Sequence, residues 1–370
     1  MIPFVDLHPV TRLVSDAVAP RWASALESCE LVGGSAVTRL EGELARCLGA
    51  RAAVACASGT DALRLALQAA GVVPGMHVAL PNLTFWATFE AVAQLGAIPV
   101  LIDVSPDDLQ IDLDELRRAH ARVRFRHAIA VHLYGWASTA LSEIRTFCAD
   151  RDVGLIEDAA QAFGVELDGR PVLAGAAIAT LSFYPAKVIG GCMDGGAVVS
   201  SDPALVETVR SLGNHGRSAH YAHQHVGWSS RMAGLQAHYL LEVVARAGEI
   251  IDARRRLVAA YRGRWSDAGI AGRLRGPSGG ITDNGYLAVV ECDRPAAGHV
   301  AAFRRRAIEV RRIYPETIDQ QPPARGRFVA VSDLAHSHGF VERVLDLPLY
   351  YGLPERDLAA VVQAAAEIIR

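Results

Sequence analysis

The chain has 370 residues, 51% of them hydrophobic and 21% charged, with a net charge of −3 and a pI near 6.5. That length exceeds what one core usually supports and predicts two domains, while a balance so close to neutral offers no basic field to gather nucleic acid or an anionic membrane surface. No apolar stretch reaches the roughly 18 residues of a membrane span, and the opening MIPFVDLHPV lacks a basic segment leading into an apolar run.

Cys29, Cys47, Cys56, Cys148, Cys192 and Cys292 are scattered without a CxxC pair. They read as reduced thiols of a cytoplasmic protein with no disulfide framework.

From residue 50 to 200, short β-rich runs alternate with helical patterns. This predicts the α/β class, a mostly parallel sheet sandwiched by helices. Strands are expected at Ala52–Cys56, His77–Leu80, Ile98–Asp103, Ala128–Leu133, Gly154–Asp158, Ala176–Phe183 and Gly196–Ser200, with helices at Asp61–Ala70, Thr84–Leu95 and Leu141–Asp150. After Gly213 comes a polar, histidine-rich stretch ending in Gly227-Trp228-Ser229-Ser230-Arg231-Met232, then a long helical pattern from Ala233 to about Asp267. Leu274 to Gly280 is flexible by composition. Beyond it are expected a strand Tyr286–Glu291, a helix His299–Ile308, strands Val310–Tyr314 and Val344–Leu347, and a terminal helix Glu355–Ile369. The predicted division is a large domain over 1–245, including an N-terminal segment and a loop over 213–231, and a smaller α+β domain over 246–370.

Three segments carry chemistry. Lys187 lies between an apolar run ending at Phe183 and a glycine-rich turn, Gly190-Gly191 and Asp194-Gly195-Gly196. A lysine bracketed by buried strands either snorkels to solvent or is held as a nucleophile for Schiff-base chemistry. Ser58-Gly59-Thr60 sits where a strand turns into a helix, so first-turn N–H groups and the two hydroxyls can hold a phosphate; the same residues would also serve as a plain helix cap. Asp158 and Gln161 follow an apolar strand, at the end where ligands bind in α/β sheets. A carboxylate there suits a cation such as the pyridinium nitrogen of pyridoxal phosphate, or it caps the next helix. The histidines 215, 220, 223 and 225 have no cysteine or acidic ligand among them, which disfavours a metal site; they are expected to line a substrate loop.

Taken together, Gly59-Thr60-Asp61-Ala62-Leu63, Pro81-Asn82-Leu83-Thr84-Phe85, Gly96 to Val100, Val131-His132-Leu133-Tyr134-Gly135, Glu157 to Gln161, Ser182 to Lys187 and Arg231 to Gln236 resemble the DegT/StrS family of sugar aminotransferases, over essentially the whole chain. The resemblance implies a fold-type I enzyme using pyridoxal 5′-phosphate, with a pyridoxamine form between half-reactions. By position, it implies Lys187 as the lysine that binds the cofactor aldehyde, Asp158 as partner of the pyridine nitrogen and Gln161 as neighbour of the phenolic oxygen. Ser58, Gly59, Thr60 and Ser182 would hold the phosphate, and Phe85 would stack on the ring, unless it is a core phenylalanine. Tyr134, His215, Tyr221, His223, Arg231 and Tyr314 are the expected substrate contacts.

Two departures stand out. The family's Gly-Tyr-Asn-x-Arg appears as Gly227-Trp228-Ser229-Ser230-Arg231, so Ser229 replaces an asparagine that reaches the neighbouring subunit's phosphate. After Tyr314-Pro315 stands Glu316, where many relatives have histidine.

The activity implied is transfer of an amino group from L-glutamate to a nucleotide-linked keto-deoxy sugar within a cytoplasmic homodimer with shared active sites. The Phe-Tyr-Pro-x-Lys segment with its following Asp-Gly-Gly is more like relatives acting at C3. Amination at C4, a cyclitol ketone, and a non-catalytic regulatory homologue are the alternatives. A dehydratase is disfavoured because histidine replaces the lysine in those relatives.

Overall fold

A computed structural model describes residues 1–369. Five-residue strands rich in Val, Ile, Leu and Ala make the central sheet: β1 (Ala52–Cys56), β2 (His77–Pro81), β3 (Ile98–Ile102), β4 (His127–Val131), β5 (Gly154–Asp158), β6 (Ile178–Ser182) and β7 (Gly196–Ser200). Their order is β1-β7-β6-β5-β4-β2-β3, extended by the two-residue strand Val329–Ala330 beside β3. β7 alone runs against the rest. Helices cover both faces, which is why strands such as β4 are buried throughout and carry no polar alternation. All the parallel strands therefore end on one edge.

A smaller sheet orders Arg273–Leu274, Ala288–Glu291 and Val344–Leu347 antiparallel. It shares an apolar core with helices Ala247–Asp267 and Glu355–Ile368, including Tyr261, Val290, Leu345 and Leu358. The N-terminal segment joins it: the Ile2 N–H donates to the Ala307 carbonyl at 2.7 Å, and Ile2 pairs with Ile308.

Several predicted elements differ from those observed. The long helix is two, Gly234–Ala245 and Ala247–Asp267, broken at Arg246 where φ is −102° and ψ 8°. Val310–Tyr314 is not a strand. Arg311 makes an isolated bridge to Asp346, and the Ile313 N–H that would extend the ladder instead donates to the Asp346 carboxylate at 2.8 Å. Leu274 and Arg275 belong to the small sheet, Arg275 N–H donating to the Val289 carbonyl at 2.7 Å. Helices His8–Glu27, Ser35–Leu48, Leu113–Val123, Pro203–Gly213 and Ala335–Arg343 were not expected.

We propose the domain boundary at the Arg246 break, with 317–341 as an excursion of the smaller domain back onto the large sheet. Ser337 there donates its N–H to Asp103 at 2.8 Å, and its hydroxyl accepts from Asn82 at 3.0 Å.

Candidate active site

The carboxyl ends of β4, β5 and β6 and the start of helix Gly59–Ala69 border a cavity of about 600 Å³. Ser58, Gly59, Thr60, Phe85, Asp158, Gln161, Ser182, Lys187 and Tyr314, all singled out in the sequence, line it.

Ser58 is extended (φ −159°, ψ 167°), and its Oγ accepts the Asp61 N–H at 3.1 Å, so the capping role is real. Capping does not exhaust the turn, because several first-turn N–H groups of any helix lack an intrahelical partner. The approach is close enough to demand glycine twice. A Cβ on Gly59 would lie 2.7 Å from the Ser182 Cβ, and one on Gly196 would collide with the Ser58 carbonyl oxygen. The helix start thus rests directly on the ends of β6 and β7.

Adjacent carboxylates on β5 have opposite fates. Glu157 is fully buried; burial pushes its pKa up, but hydrogen bonds from His132 (2.9 Å) and the Arg145 fork (2.8 Å twice) prevail and hold it below the usual range. Asp158 faces the cavity. Burial raises its pKa, against the Ala160 N–H (3.1 Å), the Thr88 hydroxyl (3.0 Å) and the Lys187 charge. Asp158 makes no ion pair within 4 Å among the described residues, so it is open to a cation brought by a ligand.

Gln161 is held at both ends of its amide. Its Oε1 accepts the Tyr134 N–H at 2.5 Å and its Nε2 donates to the Tyr314 hydroxyl at 2.6 Å. Lys187 follows β6 in a turn closed by its own N–H donating to the Tyr184 carbonyl at 2.9 Å, and its Nζ stands 5.4 Å from the centre of the Tyr286 ring. Among the 37 Lys and Arg residues, Lys187 is the sole lysine of the chain.

A family model described as the DegT/DnrJ/EryC1/StrS aminotransferase family matches residues 16–366. The chain belongs to this family. It is 36% identical over 261 residues, 70% of the chain and 72% of the relative, to the UDP-2-acetamido-2-deoxy-3-oxo-D-glucuronate aminotransferase of Pseudomonas aeruginosa. It is 31% identical over 370 residues, 99% of the chain and 96% of the relative, to the dTDP-3-amino-3,4,6-trideoxy-alpha-D-glucose transaminase of Streptomyces venezuelae. The crystal structure of S. venezuelae DesV superposes with a TM-score of 0.94 at 30% identity, covering 99% of the chain and 98% of DesV.

As a DegT/DnrJ/EryC1/StrS aminotransferase, the enzyme depends on pyridoxal phosphate. The residues present fit that group. Ser58, Gly59, Thr60 and Ser182 line the cavity at a helix N-terminus, whose N–H groups suit a phosphate, Asp158 is a buried carboxylate without an ion-pair partner within 4 Å, and the chain's one ε-amine lines the same cavity.

Phe85 stands at the edge of this cavity, and several other members of the predicted set lie outside it. Phe85 caps helix Trp86–Gln94 and is 59% exposed at the cavity rim, so it is not a core residue. Tyr134 does not line the cavity; it is buried behind Gln161 in a left-handed conformation (φ 63°), its hydroxyl without a partner. His215, Tyr221 and His223 belong to an exposed hairpin, Arg217–Ala219 with Ala222–His223 and its flanks, away from the chain's own cavity. Ser229 and Arg231 are exposed and touch each other at 3.4 Å. Sequence reasoning missed Thr88, Tyr286, Arg254 and Phe4 in the cavity wall. The Thr84–Thr88 spacing in the helix expected from Thr84 was the available signal for the first; the helix begins only at Trp86, yet the two hydroxyls meet at 2.9 Å, and no signal marked the others.

Proposed function

We propose that this aminotransferase moves an amino group from L-glutamate to a keto carbon of a nucleotide-linked deoxy sugar, at C3, giving an amino sugar for a surface polysaccharide or a glycosylated natural product. The observation that carries this reading is that the Pseudomonas and Streptomyces relatives are both named for sugars modified at C3. The cavity, about 600 Å³, falls in the size range of ligand and cofactor pockets.

The cofactor, when bound, supplies an electron sink for charge developing at the carbon that carries the amine. Lys187 Nζ is the base that takes the proton from that carbon and gives it up again within the same half-reaction, and it runs the transfer in reverse in the other half. The Asp158 carboxylate, oriented by Thr88 and Ala160, holds a positive charge against the end of β5. The Gly59 and Thr60 turn, with Ser182, receives a phosphate, and Gln161 offers its amide edge to the cavity. Phe85 at the rim is placed to cover the open face, and the Tyr286 ring flanks Lys187 Nζ at 5.4 Å.

We infer a homodimer, in the cytoplasm, in which the hairpin around His215, Tyr221 and His223 and the segment with Ser229 and Arg231 serve the partner's cavity. Exposed apolar side chains near the mouth support this: Phe85, Tyr184 (55%) and Met193 (43%) are left uncovered by the chain's own fold. No helix among the described residues is long and apolar enough to cross a membrane.

The test is to convert the protein to its pyridoxamine form and mix it with UDP-, dTDP- and GDP-linked 3-keto and 4-keto sugars. Loss of the pyridoxamine absorbance with a 3-keto sugar is expected. Reaction only with 4-keto sugars or with a cyclitol ketone would refute the C3 assignment.

A further inference from the structure

Behind Gln161, on the side away from the cavity, lies a polar group in an apolar core. Asp346, in the strand Val344–Leu347, is completely buried. One carboxylate oxygen accepts the Ile313 N–H at 2.8 Å, and its backbone exchanges hydrogen bonds with Arg311 (2.7 and 3.0 Å). Its other oxygen, Oδ1, has no partner. The Tyr134 hydroxyl is equally buried and equally without a partner.

Buried polar atoms in native proteins are paired in the great majority of cases, so these two orphans, with the equally unpaired Arg312 Nε beside them, mark a place where hydrogen bonding is incomplete by construction. Tyr134 and Tyr314 stack edge to face with ring centres 5.7 Å apart, and both feel the Asp346 charge. Both also hold Gln161, one through its backbone N–H and the other through its hydroxyl. The groups around Asp346 are Tyr134 from the turn after β4, Tyr314 and Arg312 from the 310–314 segment, and the apolar Val289 opposite it in the small sheet. Arg312 is the one cation among them, and its guanidinium is directed to the Val341 and Pro315 carbonyls.

We propose that Asp346 is a positioning residue whose protonation sets how Gln161 is presented to the cavity, through Ile313 and Tyr314 on one side and Tyr134 on the other. With Asp346 ionised, Oδ1 is left as an acceptor that the Tyr134 hydroxyl reaches through an intervening water, and the other oxygen holds the Ile313 N–H. With Asp346 protonated, that acceptor is weakened, and the tyrosine pair and the amide between them relax together. Burial supports a change of state near neutrality, pushing Asp346 up to about 7. This inference rests on the reading of Gln161 as a neighbour of the cofactor.

The experiment uses cofactor-free full-length protein labelled with amide-15N glutamine, the Gln161 side-chain resonance being assigned by its loss in Gln161→Ala. Following it from about pH 5.5 to about pH 8.5, the expected result is a shift with a midpoint near neutral in the wild type and none in Asp346→Asn, with Asp346→Ser as the substitute if the asparagine variant is unfolded. A pH-independent resonance in the wild type, or a shift that survives in the variant, overturns the proposal. Whether added pyridoxal phosphate turns the same samples yellow tests the cofactor reading separately.

Discussion

Gly59 and Ser182 approach so closely that a Cβ on the glycine would sit 2.7 Å from the serine Cβ, a separation two carbons do not share without backbone movement. Gly59→Ala is expected to push the helix start away from β6 and weaken pyridoxal phosphate binding about 10- to 100-fold, the loss of one or two charge-assisted hydrogen bonds. Absorbance titration of the cofactor-free variant measures it; an unchanged Kd would show that the phosphate lies elsewhere.

Asp158 has its pKa raised by burial when no ligand is present. A bound cation favours the carboxylate, so cofactor affinity should fall as pH drops through that raised pKa and protonates the group. Asp158→Asn should bind roughly 10-fold or more weakly at pH 8 and lose most of this pH dependence. Equal affinity of the two proteins at alkaline pH would contradict the ion-pair role.

Asp346 offers a stability test independent of any ligand. Its pKa rises from 3.8 to about 7 on folding, so the folded state binds the proton more tightly than the unfolded one. The resulting stabilisation is complete below the unfolded value and is lost as pH rises through the folded value. Between pH 5.5 and 8 the cofactor-free protein should lose about 2 kcal/mol through this group, and Asp346→Asn should flatten that part of the profile. Thermal melts of the two proteins at both pH values decide it; parallel profiles would mean that Asp346 contributes no proton linkage over this range and does not titrate near 7 in the folded protein.

Arg254 is fully buried and lowered to about 10 by burial, and it donates to the carbonyls of Gly285 (2.9 Å), Tyr286 (2.9 Å) and Leu349 (3.1 Å). It ties the helix Ala247–Asp267 to the segment that carries the Tyr286 ring beside Lys187. Arg254→Met should cost about 3 kcal/mol by leaving those carbonyls unpaired. Arg254→Lys should recover little, because one ammonium cannot reproduce the fork. Denaturant melts would show this, and a lysine variant as stable as the wild type would refute it.

The parts of the site that were legible in the sequence are those set by local chemistry. The Ser58 cap, Gly59 at the helix start, Asp158 at a strand end and Lys187 after an apolar run each take their place at the cavity from signals within a few residues. What escaped is set by distant contacts. The segment Val310–Tyr314 reads as a strand, yet the Asp346 side chain takes its Ile313 N–H, and Tyr314 bonds Gln161. Tyr134 is expected at the substrate only from the family resemblance, but it has a positive φ and lies buried in the core. The two residues of Val329–Ala330 are too few for any periodicity to mark them as the strand that extends the sheet beside β3.

Lys187 offers the sharpest test because no other ε-amine exists in the chain. Protein incubated with pyridoxal phosphate, reduced with borohydride and digested should yield one pyridoxyl-bearing peptide, the one containing Lys187, and Lys187→Ala should yield none and lose turnover. A pyridoxyl group found only on the Met1 amine, or transamination retained by Lys187→Ala, would contradict the account.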